Sequence, residues 1–116
     1  MEKYTGGCHC GRVNYEVSVD ITQSITCNCS ICRRRGSIFA FTTDDQFKLL
    51  KGEDELTTYQ FGKHSIHHTF CKTCGILSHA RGSTPDGHKM VAINVRCLDD
   101  VDLEALSPVA VDGASF

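Results

Sequence analysis

Cysteine is the residue with which this 116-residue chain can do chemistry. Seven of its eight cysteines stand in three tight groups: Cys8-His9-Cys10, Cys27-Asn28-Cys29-Ser30-Ile31-Cys32 and Cys71-Lys72-Thr73-Cys74. Thiols two or three positions apart converge on one point at about the 2.3 Å reach of a Zn–S bond. A disulfide, in contrast, demands a Cβ geometry that such close neighbours rarely meet. The spacing therefore points to thiolate coordination of a metal.

Cys71-Lys72-Thr73-Cys74-Gly75 reads as a zinc knuckle, in which a tight turn aims backbone N–H groups at both sulfurs and Gly75 supplies the positive φ that closes it. A knuckle provides two ligands and a structural zinc wants four, so a second pair has to come from elsewhere. Two groups compete for that part, and Cys8 with Cys10 is the better match. Positions i and i+2 share a face of an extended strand, and Gly7 and Gly11 leave room for backbone to wrap a metal. A site of Cys8, Cys10, Cys71 and Cys74 would tie the first strand to the middle of the sheet and contribute folding free energy. Cys27, Cys29 and Cys32 then offer three sulfurs and stop. Three protein ligands with an exchangeable fourth position is how catalytic zinc sites are built. The competing arrangement is a second closed site, its fourth ligand drawn from Cys97, His67, His68 or His79.

Arg33-Arg34-Arg35 follows Cys32 directly. A basic run beside thiolates lowers their pKa values and attracts a carboxylate, which makes Arg33 the candidate substrate contact; read more plainly, the run is a solvated turn balancing an anionic metal site. Seven thiolates (about −7) on two zinc ions (about +4) leave roughly −3 at the metal sites, so an anionic substrate needs local basic help. His67 and His68 adjoin on an expected strand and point to opposite faces, so at most one reaches the metal or substrate.

The elements that must position these groups are mainly strands. Val13, Tyr15, Val17 and Val19 alternate along Arg12 to Val19, and Leu56 to Phe61 is rich in β-branched and aromatic types. Strands are also expected over Ser37 to Thr42, Phe47 to Leu50, Ile66 to Phe70 and Met90 to Val95, in a mostly antiparallel arrangement. Helix is confined to about one turn after Cys29 and a short piece over Leu98 to Leu106, with Asp99 or Asp100 as cap. With 41% hydrophobic residues the chain suits one domain, residues 1–116, with a buried core. A formal net charge of −2, a sequence pI near 6.3 and the absence of tryptophan give no basic footprint for nucleic acid, and no apolar run approaches membrane-spanning length. The start, Met1 to Gly7, carries no apolar secretory core, so a reduced, cytoplasmic protein is expected.

Gly7-Cys8-His9-Cys10-Gly11, Cys27-Asn28-Cys29-Ser30-Ile31-Cys32 and Phe70-Cys71-Lys72-Thr73-Cys74-Gly75, taken in order, resemble the glutathione-dependent formaldehyde-activating enzyme family, and Asn94-Val95-Arg96-Cys97-Leu98-Asp99 resembles its late motif. The match runs from about Tyr4 to Asp112. The resemblance implies a mainly β, Mss4-like antiparallel fold stapled by zinc, with two Zn²⁺ per chain. Cys8, Cys10, Cys71 and Cys74 would hold the structural ion, and Cys27, Cys29 and Cys32 the second. It also implies a carbon–sulfur lyase or thiol-adduct enzyme acting on a small thiol, glutathione in the founding enzyme, and an aldehyde. This chain is shorter than that enzyme. The alternative is a noncatalytic zinc-ribbon-like binding module with both ions structural, marked by an apolar surface patch.

Overall fold

A computed structural model describes residues 1–115. Among them are ten strands and one short α-helix. The strands are β1 (Glu2–Gly7), β2 (Asn14–Val19), β3 (Ile25–Cys27), β4 (Phe39–Thr43), β5 (Phe47–Lys51), β6 (Leu56–Tyr59), β7 (His67–Cys71), β8 (His79–Ser83), β9 (Lys89–Asn94) and β10 (Val109–Val111); the helix is α1 (Cys32–Arg35). They form a three-stranded sheet, β1-β2-β5, and a seven-stranded sheet, β10-β3-β4-β9-β8-β7-β6.

The core follows from side-chain alternation. Along β2 every second residue, Tyr15, Val17 and Val19, is fully buried while the residues between stay half-exposed, because successive side chains of a strand leave by opposite faces. These three meet Ala40 of β4 and Val91 and Ile93 of β9, so one cluster joins the two sheets, closed by Ile38, Val95 and Leu98. Each buried Val, Ile or Leu contributes roughly 1.5–3 kcal/mol relative to leaving it in water. The Tyr15 hydroxyl donates to the Ser78 carbonyl at 3.1 Å, and its ring packs on Phe47 and His79 with centroids 5.0 and 5.6 Å away.

The mainly β expectation agrees with this architecture, and each of the six expected strands is present within two residues at either end. Two expectations are corrected. Cys8 and Cys10 do not lie on an extended strand: β1 stops at Gly7, and Cys8 to Val13 is a turn closed by the Cys8 N–H on the Val13 carbonyl at 3.1 Å. No helix spans Leu98 to Leu106. There the Asp99 N–H bonds to the Thr5 carbonyl at 2.8 Å and Asp100 takes a φ of 59°, which breaks any helical ladder. A single 3₁₀ turn, Leu103–Ala105, remains, capped by Asp102 rather than by Asp99 or Asp100. The pairing is mostly antiparallel, as expected, with one parallel pair, β10 beside β3.

Candidate metal centres and the cleft beside them

The strand ends carry the thiols. Cys71 closes β7 and opens a turn in which the Gly75 N–H returns to the Cys71 carbonyl at 2.7 Å, with Gly75 at a φ of 80°, the left-handed conformation expected of a knuckle glycine. Cys8 and Cys10 come from the β1–β2 turn and meet this knuckle. Their sulfurs stand 3.6 Å apart, and Cys10 Sγ is 3.6 Å from Cys71 Sγ. Sulfurs on a tetrahedral zinc with bonds of about 2.3 Å would be about 3.8 Å apart. All eight cysteines are free of disulfides. Cys8, Cys10, Cys71 and Cys74 thus form one group whose ligand atoms lie within 4.8 Å of one another, as the spacing argument paired them.

The second group is Cys27, Cys29 and Cys32, also within 4.8 Å, and no other His, Cys, Asp or Glu among the described residues joins it. Cys27 ends β3 and Cys32 opens α1, whose last turn is closed by the Gly36 N–H on the Cys32 carbonyl at 2.8 Å. The candidates for a fourth ligand lie elsewhere. His79 is wholly buried in the core, His67 is exposed, and His68 contacts Arg35. Cys97 donates its thiol to the Leu77 carbonyl at 3.7 Å.

Both donor sets fit a soft divalent ion, and their electrostatics ask for one. Burial opposes a thiolate at Cys29, but the N–H groups of Cys32 and Ile31 and the thiols of Cys32 and Cys27 outweigh it and lower its pKa. Cys32 is pushed up to about 12 by burial and by the neighbouring Cys29 and Cys27. Like charges this close do not ionise together without a cation. In the first group, burial works against a Cys74 thiolate, yet the N–H groups of Ile76, Cys10 and His9 bring it down to about 6.

Asn28, between the first two thiols of the trio, is a latch. Its amide donates to Asp112 Oδ1 at 2.9 Å and its carbonyl oxygen accepts from the Ala114 N–H at 2.9 Å. Gly113 is thereby laid so close that a Cβ there would overlap Cys27 Sγ. Nothing in the local sequence announces Asn28 and Gly113 as partners.

A cleft of about 920 Å³ runs from Cys8, His9 and Gly75 at the first group to Ile31 and Arg35 beside the second, lined also by Phe70, Leu77 and Asn94. It meets the trio through Ile31 and Arg35; the three sulfurs themselves do not line it. Arg33, the expected substrate contact, is exposed and outside this lining, while Arg35 is half-buried within it. The helical phase carried that signal, because residue i+3 shares a face with Cys32 and residue i+1 does not.

A small, mainly β protein with two convergent thiol groups, one of four and one of three, defines the class. A family model described as glutathione-dependent formaldehyde-activating enzyme matches residues 3–112, and the chain belongs to that family. The crystal structure of a Rhodobacter sphaeroides protein is also similar, with a TM-score of 0.81 and 36% sequence identity, covering 91% of this chain and 97% of that one. Among the described residues no helix is long and apolar enough to cross a membrane, which says nothing of strands.

Proposed function

We propose that the chain is a zinc-dependent carbon–sulfur lyase or thiol-adduct enzyme that joins a small thiol to an aldehyde and cleaves the same bond in reverse. In the forward direction the thiol gives up its proton, sulfur attacks the carbonyl carbon to form the S–C bond, and the carbonyl oxygen takes a proton. No oxidant or reductant is required. The observation that carries this reading is the trio Cys27, Cys29 and Cys32, which no fourth His, Cys, Asp or Glu among the described residues joins.

In this reading Cys8, Cys10, Cys71 and Cys74 hold a structural zinc and the trio holds the second. A zinc ion on three thiolates, with its fourth position exchangeable, would supply Lewis-acid stabilisation of a substrate thiolate near neutral pH. The chain's own residues then orient the two reactants: the cleft beside α1 receives the body of the thiol, and proximity supplies most of the rate. Family membership favours glutathione and formaldehyde as the pair. One observation favours a noncatalytic binding module: Tyr59 and Phe61 are 51% and 41% exposed and stack at 5.8 Å on the edge of the larger sheet. The trio without a fourth donor weighs against it, since a structural ion would be fully enclosed by protein.

Zinc counted per chain by elemental mass spectrometry, with and without excess thiol and a mild chelator, tests the proposal. Two zincs, one of them lost to chelator and protected by thiol, is the expected result. Two inert zincs would identify the binding module instead.

A further inference from the structure

The cleft wall next to the trio holds two arginines, Arg35 and Arg96, that pair with no carboxylate among the described residues. Arg35 takes part in none of the ion pairs among the described residues, which join Lys3 to Glu16, Arg81 to Asp44 and His88 to Asp86. Its Nη2 donates to His68 Nδ1 at 3.3 Å. A guanidinium can only donate, so Nδ1 is the acceptor and His68 is the neutral Nε2–H tautomer; burial and the Arg35 charge both hold the His68 pKa down. Arg35 Nη1 is buried with no hydrogen-bond partner, and Cζ lies 5.8 Å from the Phe39 ring centroid. The plane of the guanidinium is therefore set by an aromatic face and an imidazole, while its charge meets no carboxylate and has only the thiols of Cys32 and Cys29 beside it.

Arg96 stands at the same end of the cleft. Its Nε donates to the Gly36 carbonyl, the C-cap of α1, at 3.1 Å, and it lines the cavity with Arg35. The acid on that lining, Asp99, is bonded to the Thr5 hydroxyl at 2.9 Å. A planar guanidinium in a partly desolvated wall matches a carboxylate in both shape and charge.

We propose that Arg35 is the specificity-determining residue of the cleft and binds a carboxylate on the substrate, so that the thiols this chain accepts are anionic ones, with Arg96 adding to the local positive field. The inference rests on the thiol reading above. It also meets a charge requirement, because three thiolates on a divalent ion carry about −1 and a fourth brings the site to about −2. A carboxylate approaching such a centre needs cations in the wall, and Arg35 and Arg96 are those cations.

The test is calorimetric titration of the zinc-loaded protein with mercaptopropionate, mercaptobutyrate and mercaptohexanoate, each beside its primary amide, which keeps the shape and removes the charge. Wild-type protein is expected to bind the acid of at least one chain length about tenfold more tightly than its amide, the scale of one charge-assisted bond. The best length measures the gap from the metal to Arg35. In Arg35→Gln the acid preference is expected to vanish, with amide affinities within about twofold of wild type and zinc content unchanged. Acid and amide binding wild type equally at every length would overturn the carboxylate site and leave the thiol reading standing. No binding of any thiol would remove both. Loss of zinc in Arg35→Gln would mark Arg35 as counter-charge to the metal and overturn the proposal. Should that variant fail to fold, Arg35→Lys keeps the charge without the planar fork and is expected to lose several-fold of the preference; an undiminished preference there would overturn it equally.

Discussion

Gly113→Ala perturbs the second thiol group from outside it. Gly113 has no positive φ, so alanine costs nothing in backbone conformation, and the effect is steric. The added Cβ would overlap Cys27 Sγ and lie 3.5 Å from Cys29 Cβ. Ordinary contact needs about 3.5–4.0 Å, so either the segment around Gly113 shifts outward or Cys27 turns away. A shift breaks the two side-chain bonds that Asn28 makes to Asp112 and Ala114, at about 1 kcal/mol each. About 2 kcal/mol taken from the bound state corresponds to roughly thirtyfold faster metal release. A chromophoric chelator added to the zinc-loaded protein should resolve a fast phase from the trio and a slow phase from the four-thiol group. Gly113→Ala should accelerate only the fast phase by about thirtyfold, or remove it if Cys27 is displaced. Asn28→Ala, which breaks the same two bonds without the overlap, should give a similar acceleration. A wild-type fast phase in Gly113→Ala would refute the claim that this segment abuts the metal-binding face of Cys27.

The two groups should also differ in what they hold together. Cys71, wholly buried, joins the knuckle to the β1–β2 turn, so Cys71→Ser should lose its metal and unfold, whereas Cys29→Ser should lose the second metal with a near-native melting transition. Equal unfolding of both, by circular dichroism, would refute that division. His79 gives a pH signature: it is fully buried and its pKa is lowered from 6.5 to about 4, by burial first and by Arg81 second. The folded protein keeps the neutral ring, so this group costs nothing above about pH 6.5. Stability is lost as the pH falls from 6.5 toward 4, by about 3 kcal/mol in all. Relative to wild type, His79→Phe should therefore be about 2 kcal/mol more stable at pH 5 than at pH 8 in urea unfolding, the paired comparison cancelling acid loss of metal. No change in that difference would show that His79 is not a buried neutral base. Tyr15→Phe removes one of the two donors to the buried Ser78 carbonyl, which keeps the Asn94 N–H at 3.1 Å, and should lower stability by about 1 kcal/mol at any pH below 9.

The thiol chemistry was legible in the chain because metal coordination is local. Two cysteines a turn apart bring their sulfurs together whatever the rest of the fold does, and only the pairing of Cys8 and Cys10 with Cys71 and Cys74 required an argument about ligand number. Strands with their own alternation, such as β2 with Tyr15, Val17 and Val19, were equally plain, since burial on one face writes a period of two into the sequence. What the chain could not disclose was structure imposed from outside a segment. His79 to Ser83 has no β-branched residue and is a strand because β7 and β9 flank it with open hydrogen-bonding edges. Val109 to Val111 is too short to declare itself, yet its parallel pairing with β3 brings Asp112 and Ala114 to Asn28, 84 and 86 positions away. The same holds for Arg35. Composition showed a run of three arginines, but only the one-turn helix after Cys32 and the imidazole of His68, brought across from β7, separated the one that faces the cleft from the two that face water. Short-range geometry set which residues can hold metal. Long-range packing decided which charges and which chain segments stand beside it, because contacts between distant segments leave no periodic trace in either one.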